Sequence, residues 1–175
     1  MKLKLKDKIF TYRFATEKDI DILNRFDINI YKKVNPDFYF RHTKKMLKNM
    51  MSCGRKIWVV FYKDKLVAWA GMGLQINKEE AKNYYLTEKQ IEKAAVLLAA
   101  AVSPRFRGYG LQRFLINKRI EYFKKIKLKY ALINVNPLNK ISEKNIRECG
   151  FTFTKKARSK RRKNKIVLNH YFLKL

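Results

Sequence analysis

Residues 101–115 read AVSPRFRGYGLQRFL. The small, apolar run that leads into them, Ala94 to Val102, predicts a buried strand. Pro104 stops it, Gly108 and Gly110 permit a tight turn, and Leu111 opens a helix. A strand, a glycine turn and a helix in that order leave several backbone N–H groups at the helix N-terminus without intrahelical partners. Together with the helix dipole they make a site for a phosphate, and Arg105 and Arg107 add positive charge around it. Two familiar phosphate motifs do not fit. A Walker loop would need G-x-x-x-x-G-K-[ST], and a dinucleotide fingerprint would need a glycine where Arg113 stands.

With 175 residues, 47% of them apolar, the chain is long enough for one domain with its own core, and a single domain over 1–175 is expected. Cys53 and Cys149, with His42 and His170, give neither a paired metal-ligand spacing nor a disulfide framework. No metal is expected, and the chain reads as reduced. The start, MKLKLKDKIF, lacks the apolar core of a signal peptide, and no stretch approaches the roughly 20 apolar residues of a membrane span, so the expectation is a soluble, cytoplasmic protein without a membrane partner. The formal charge is +28, from 42 Lys and Arg against 14 Asp and Glu. Such a surplus attracts any polyanion, whether nucleic acid, anionic membrane or a polyphosphate cofactor. It also accompanies abundant Asn and Ile, as a compositional bias would.

Upstream of the turn, Phe10 to Phe14 predicts a strand. Thr16 and Asp19 then cap a helix spaced by Ile20, Leu23 and Phe26. A second helix is expected from the Asn35-Pro36-Asp37 turn signal to Met50, ended by Gly54. Ile57–Tyr62 and Leu66–Leu74 form a hairpin around Lys63-Asp64-Lys65. Ile76 to Glu92 is a polar insertion holding Tyr84, Tyr85 and a short helix started by Thr87 with Gln90. Downstream, Leu111 to Ile126 is amphipathic, with Leu111, Leu115, Ile116, Ile120, Tyr122, Phe123 and Ile126 toward one side. Tyr130 to Val135 is the next strand, parallel to Ala94–Val102 across a right-handed crossover, so the glycine turn falls at a carboxyl strand end where open α/β sheets bind ligands. Phe151–Lys155 and Ile166–Leu175 are a last strand pair around Lys155 to Lys165, eight of whose eleven residues are basic. That run reads as a solvated loop or as a patch for an acidic partner, and it holds no aromatic residue on which a base could stack.

Two sets of residues go beyond these local readings. R-x-x-G-x-G (Arg105, Gly108, Gly110) follows a strand directly, and Asn139, Ser142 three positions on, and Gly150-Phe151 follow the next strand. On both, the chain resembles the GNAT family of acyl-CoA-dependent N-acyltransferases. The resemblance implies an α/β fold with a mixed, mostly antiparallel sheet of six to seven strands, flanking helices and a splayed central strand pair. It implies that the turn holds the pyrophosphate of acetyl-CoA, the co-substrate, through Ala100, Ala101, Val102, Arg105, Phe106, Arg107, Gly108, Tyr109, Gly110 and Leu111, with further contacts from Asn139 and Ser142. It also makes the N–H of Val102 or a neighbour the oxyanion donor, and the small side chains Ala99 to Ala101 the place where the pantetheine arm approaches backbone. Read without the family, Asn139 is a good helix cap, and the two roles are compatible.

The resemblance implies acetyl transfer to a primary amine of a small-molecule or peptide acceptor. Two of its catalytic positions depart here. Where a carboxylate base is common on the fourth strand this chain has Leu98, and where a tyrosine acid is common before Gly-Phe it has Ile146. Glu92, Tyr84, Tyr85 and His42 are the remaining candidates, and Phe38, Tyr39 and His42 fall in the region that lines the acceptor pocket. A chain of solvent waters could replace a base. Otherwise the chain is a non-catalytic acyl-CoA-binding module or, as a third reading, a nucleic-acid binder acting through Lys155 to Lys165. Cys149 has no positioned His beside it in sequence and reads as structural.

Overall fold

The computed structural model describes residues 1–35, 38–52, 54–76, 78–159 and 166–175. Pro36 and Asp37 of the expected turn signal, Cys53, and residues 160–165 of the basic run lie outside the described residues. The chain falls into two compact units, one of residues 1–72 and 98–115, the other of residues 73–97 and 116–175.

In the first unit β1 (Lys2–Leu5), β2 (Lys8–Phe14), β3 (Arg55–Tyr62) and β4 (Lys65–Gly73) follow in order. β1 pairs antiparallel with β2, and β2 with β3, from Thr11 opposite Phe61 to Phe14 opposite Trp58. β3 and β4 join through Lys63 and Asp64, both at positive φ, the conformation that a two-residue hairpin turn requires. Because strand side chains alternate, β3 serves two cores. Ile57 and Val59 join Leu23, Ile30, Leu47 and Trp69 around α1 (Ile20–Tyr31) and α2 (Lys44–Asn49). Trp58 and Val60 join Phe10, Val67, Leu111 and Leu115 at the start of α5 (Leu111–Lys125).

The second unit holds the first half of β5 (Ala94–Val102), then β6 (Tyr130–Val135), β8 (Val167–Lys174) and β7 (Thr152–Arg158) in that spatial order. β5 and β6 are parallel, and their ladder runs only from Ala94–Tyr130 to Val96–Leu132 although both strands continue. β8 is antiparallel to both β6 and β7. The insertion carries α3 (Lys78–Ala81) and α4 (Glu88–Ile91), and packs Ile76, Ala81 and Tyr84 on Ala94 and Leu132. α6 (Lys140–Glu148) completes the unit. The fold is the expected mixed, mostly antiparallel α/β sheet with flanking helices, and its full strand order is β1-β2-β3-β4-β5-β6-β8-β7.

Three expectations are corrected. The sheet has eight strands instead of six or seven. The extra one is β1, since the Lys-Leu alternation of residues 2–5 has the period of a strand that hides one face. The second helix begins at Lys44, where Thr43 caps it by accepting the Met46 N–H at 3.3 Å. Residues ahead of it are not helical because the His42 N–H is taken at 2.7 Å by the Asp27 carboxylate of α1. On α5, Ile126 is exposed while Arg119, never a core expectation, is buried. Burial pushes its guanidinium down to about 9.

The expected cap at the start of α1 forms, with more donors than a capping pair alone. The Asp19 carboxylate accepts from Arg13 Nη1 and Nη2 at 2.6 and 2.7 Å and from the Thr16 N–H and Oγ1 at 2.7 and 3.0 Å. The Arg13 guanidinium, helped by Thr16, holds it down at about 2, against a burial that acts upward. A folded-state value below the ordinary 3.8 means that the carboxylate stabilises the fold above that pH and loses its contribution as the pH falls through about 2. Arg13 is half-exposed, so screening reduces the effect to about 1 kcal/mol at neutral pH. Asp19→Asn is expected to lower stability in urea unfolding by about that amount at pH 7 and to flatten the acid limb below pH ~4; equal stability at both pH values would refute it.

Candidate functional site

β5 ends where the Ser103 N–H reaches the Val67 carbonyl of β4 at 2.8 Å. Pro104 to Phe106 then form a single 3-10 turn, and α5 takes up its own ladder with Phe114 N–H to the Gly110 carbonyl at 2.9 Å. Between these points the N–H groups of Gly108, Tyr109, Gly110 and Leu111 have no partner among the described residues. Gly108 and Gly110 sit at φ +79° and +78°, and a Cβ built on either meets nothing within 4 Å. Glycine is needed there for backbone conformation and not for room. The result is a run of four donors unpartnered among the described residues, at the positive end of a fifteen-residue helix.

The turn is held from behind by its aromatic side chains. Phe10 of β2 meets Phe106 at 6.1 Å and Tyr109 at 6.0 Å, ring centroid to centroid, and Tyr62 meets Phe106 at 5.3 Å. Lys6 and Lys8 place their ammonium groups 5.4 and 5.1 Å from the Tyr109 ring. What Phe106 and Tyr109 offer a ligand is therefore backbone. Arg105 and Arg107 are exposed and form no ion pair with a described carboxylate, and Arg105 lines a cavity of about 370 Å³ with Lys33 and Lys65. Next to the turn on β5, Ala101 is buried while Leu98, Ala99, Ala100 and Val102 are partly exposed. Leu98 and Ala99 pack against the core that contains Trp69.

His42, also in the first unit, is buried, its Nδ1 3.1 Å from Asp27 Oδ1. Tyr39 donates its hydroxyl to the same oxygen, and burial first, then Asp27, pushes that phenol well above its ordinary range. Asp27, fully buried, went unread in the sequence although it stands on the apolar stripe Ile20, Leu23, Asp27, Ile30. An acid at a stripe position was the signal that could have found it.

In the second unit Asn139 caps α6, its side-chain oxygen accepting the Ser142 N–H at 3.1 Å. Ile146 is a core residue. Of the candidates here, Tyr85 is 70% exposed at φ +55°, Glu92 is exposed at the end of α4, and Tyr84 is buried with its ring 5.1 Å from His170. His170 is buried with both ring nitrogens lacking a hydrogen-bond partner among the described residues, and that burial pushes it down to about 4, so it is neutral at physiological pH. Another cavity, of about 590 Å³, is lined by Lys93, Lys124, Lys127 and Lys129. Among the described residues no group of three His, Cys, Asp or Glu could hold a metal ion, and no helix is long and apolar enough to cross a membrane.

The family model described as Acetyltransferase (GNAT) family matches residues 28–151. No curated protein matches. Among solved structures the chain is similar to an acetyltransferase of the GNAT family from Listeria monocytogenes, at 16% identity and TM-score 0.77 with 100% of each chain covered. It is similar to yncA from Salmonella typhimurium, solved with its cofactor acetyl-CoA, at 15% identity and TM-score 0.69, with 95% of this chain and 94% of that one covered. The ribosomal-protein-S18-alanine N-acetyltransferase from Escherichia coli gives 14% identity and TM-score 0.69 over 94% and 93% of the two chains. At these identities the likeness is one of fold.

The two positive φ values predict what substitution at the turn does to stability. Gly108→Val and Gly110→Val should each cost about 1–2 kcal/mol in urea unfolding, and Gly108→Asn clearly less, since asparagine visits the left-handed region readily. Equal costs for Val and Asn at 108 would mean that space, not backbone, selects glycine.

Proposed function

Because the chain belongs to the Acetyltransferase (GNAT) family, we propose that it binds acetyl-CoA at the 103–111 turn and transfers the acetyl group to a primary amine by direct attack in a ternary complex. The observation that carries the reading is the set of unpartnered N–H groups of Gly108, Tyr109, Gly110 and Leu111 at the α5 N-terminus. Four donors and a helix dipole suit a pyrophosphate, which needs many hydrogen bonds and no particular side chain. Arg105 and Arg107, not engaged by carboxylates, add charge at the rim. On the strand before the turn, Ala99, Ala100 and Ala101 have no side chain beyond Cβ to keep a pantetheine arm from the backbone, and the N–H of Val102 or a neighbour serves the thioester oxygen. Asn139 and Ser142 enter on the family pattern, and the Asn139 cap is compatible with a ligand contact from the same residue.

The acceptor is a small molecule or a peptide carrying an amine. A polycation such as a polyamine is disfavoured by the charge of +28. Leu98 and the buried Ile146 favour one competing reading, an acyl-CoA-binding module without turnover. Calorimetric titration with acetyl-CoA, and with ATP as a control polyanion, tests the site. Micromolar one-to-one binding that moderate salt leaves intact and ATP does not match is expected, and Gly108→Val should weaken it at least tenfold. Equal, salt-sensitive binding of both ligands would overturn the assignment. Release of free thiol from acetyl-CoA in the presence of a panel of amines separates the transferase from the silent module.

A further inference from the structure

We propose that His42, oriented by the buried carboxylate of Asp27, is the general base that deprotonates the acceptor amine; this rests on the acetyl-transfer reading above. β5 carries Leu98 where the family resemblance leads one to expect a carboxylate, and transfer from an ammonium ion still needs a proton acceptor. His42 packs on the same core as that position. Its ring stands edge-on to Trp69 at 5.2 Å, and Trp69 shares a cluster with Leu98, Ala99 and Ala101 of β5. Leu98 and Ala99 remain partly exposed.

The hydrogen bonds specify how the ring is held. Asp27 Oδ2 accepts the His42 backbone N–H at 2.7 Å, while Oδ1 faces His42 Nδ1 at 3.1 Å and accepts the Tyr39 hydroxyl. A carboxylate can only accept, so Nδ1 carries its hydrogen, and the lone pair of the neutral ring lies on Nε2. No described residue bonds to Nε2. Asp27 thus fixes tautomer and orientation together, leaving Nε2 as the base.

Nε2 takes one proton from the acceptor ammonium, giving a neutral amine and an imidazolium beside Asp27. The amine nitrogen bonds to the thioester carbonyl carbon as the C=O pair moves to oxygen. On collapse the C–S bond breaks, and the thiolate takes a second proton from nitrogen, so that amide and free thiol leave and the imidazolium returns its proton to solvent. Glu92 and Tyr85 are exposed in the second unit, and Tyr84 is buried there against a neutral His170.

The test compares wild type with His42→Asn, which retains a donor for Asp27, and Asp27→Asn. Thiol release with the best amine of the panel should fall about 100-fold in kcat in His42→Asn, while acetyl-CoA affinity by calorimetry stays unchanged. Asp27→Asn, which removes the acceptor facing Nδ1, should also lower kcat without changing acetyl-CoA affinity. A His42→Asn variant with wild-type kcat overturns the proposal while leaving acetyl transfer standing.

A second measurement is independent of turnover. The chain has two histidines, so ring-nitrogen correlation NMR assigns each by loss of signal in its Asn variant. The neutral His42 ring should show hydrogen on Nδ1 and none on Nε2, and a hydrogen on Nε2 overturns the proposal even if wild type is inactive. If wild type releases no thiol with any amine while the expected tautomer is found, it is the transferase reading that fails, and His42 with it as a base.

Discussion

The hydrogen bond from the Ser103 amide to the Val67 carbonyl fixes the residue at which β5 leaves its neighbour. Everything about the turn follows from that point. With the strand ended there, Pro104 to Phe106 have room for one 3-10 turn, and the chain must reverse through two residues at positive φ before Gly110 accepts the first bond of α5. A register one residue different would exchange the glycines for residues that resist that conformation and would swing Phe106 and Tyr109 off the Phe10 face. The four N–H groups without a partner among the described residues are a by-product of satisfying these demands together. The aromatic packing behind them keeps the backbone, and not the side chains, turned toward a ligand.

The sequence made the strand and helix spans legible wherever a local pattern decided them. Ala94–Val102 and Tyr130–Val135 appear with the expected bounds, and Thr87 with Gln90 starts α4, because apolar runs and capping pairs are short-range signals. What failed depended on distant partners. The segment ahead of Lys44 has helical spacing but is not a helix, since an acid fifteen residues earlier takes its His42 amide. β1 is not legible by composition, since only the two-residue period of its lysine-rich alternation marks a strand. Arg119 and His170 are buried for tertiary reasons that no window around them contains.

The candidate site divides in the same way. Its proposed phosphate-binding half is built from one continuous stretch, so Arg105, Gly108 and Gly110 are legible in sequence. Its proposed proton-handling half is assembled from α1, the segment before α2, and β4, and of those residues the sequence marks Tyr39 and His42 but neither Asp27 nor Trp69. Asp27 was hidden inside a helix whose apolar neighbours drew the eye. A carboxylate on a buried stripe asks for donors, and the fold supplies a tyrosine, an imidazole and an amide to one pair of oxygens.

The lysines of β1 and β7 give part of the charge surplus a physical use that attraction of anions does not capture. These two strands stand at the ends of the strand order, each paired on one side only among the described residues. Lys2 and Lys4 alternate along the first, and Lys155, Lys156 and Arg158 crowd the second. For one sheet to extend another, such rows would have to be brought within the roughly 5 Å that separates paired strands, cation against cation. Cationic rows at the two ends of the strand order thus disfavour edge-to-edge pairing.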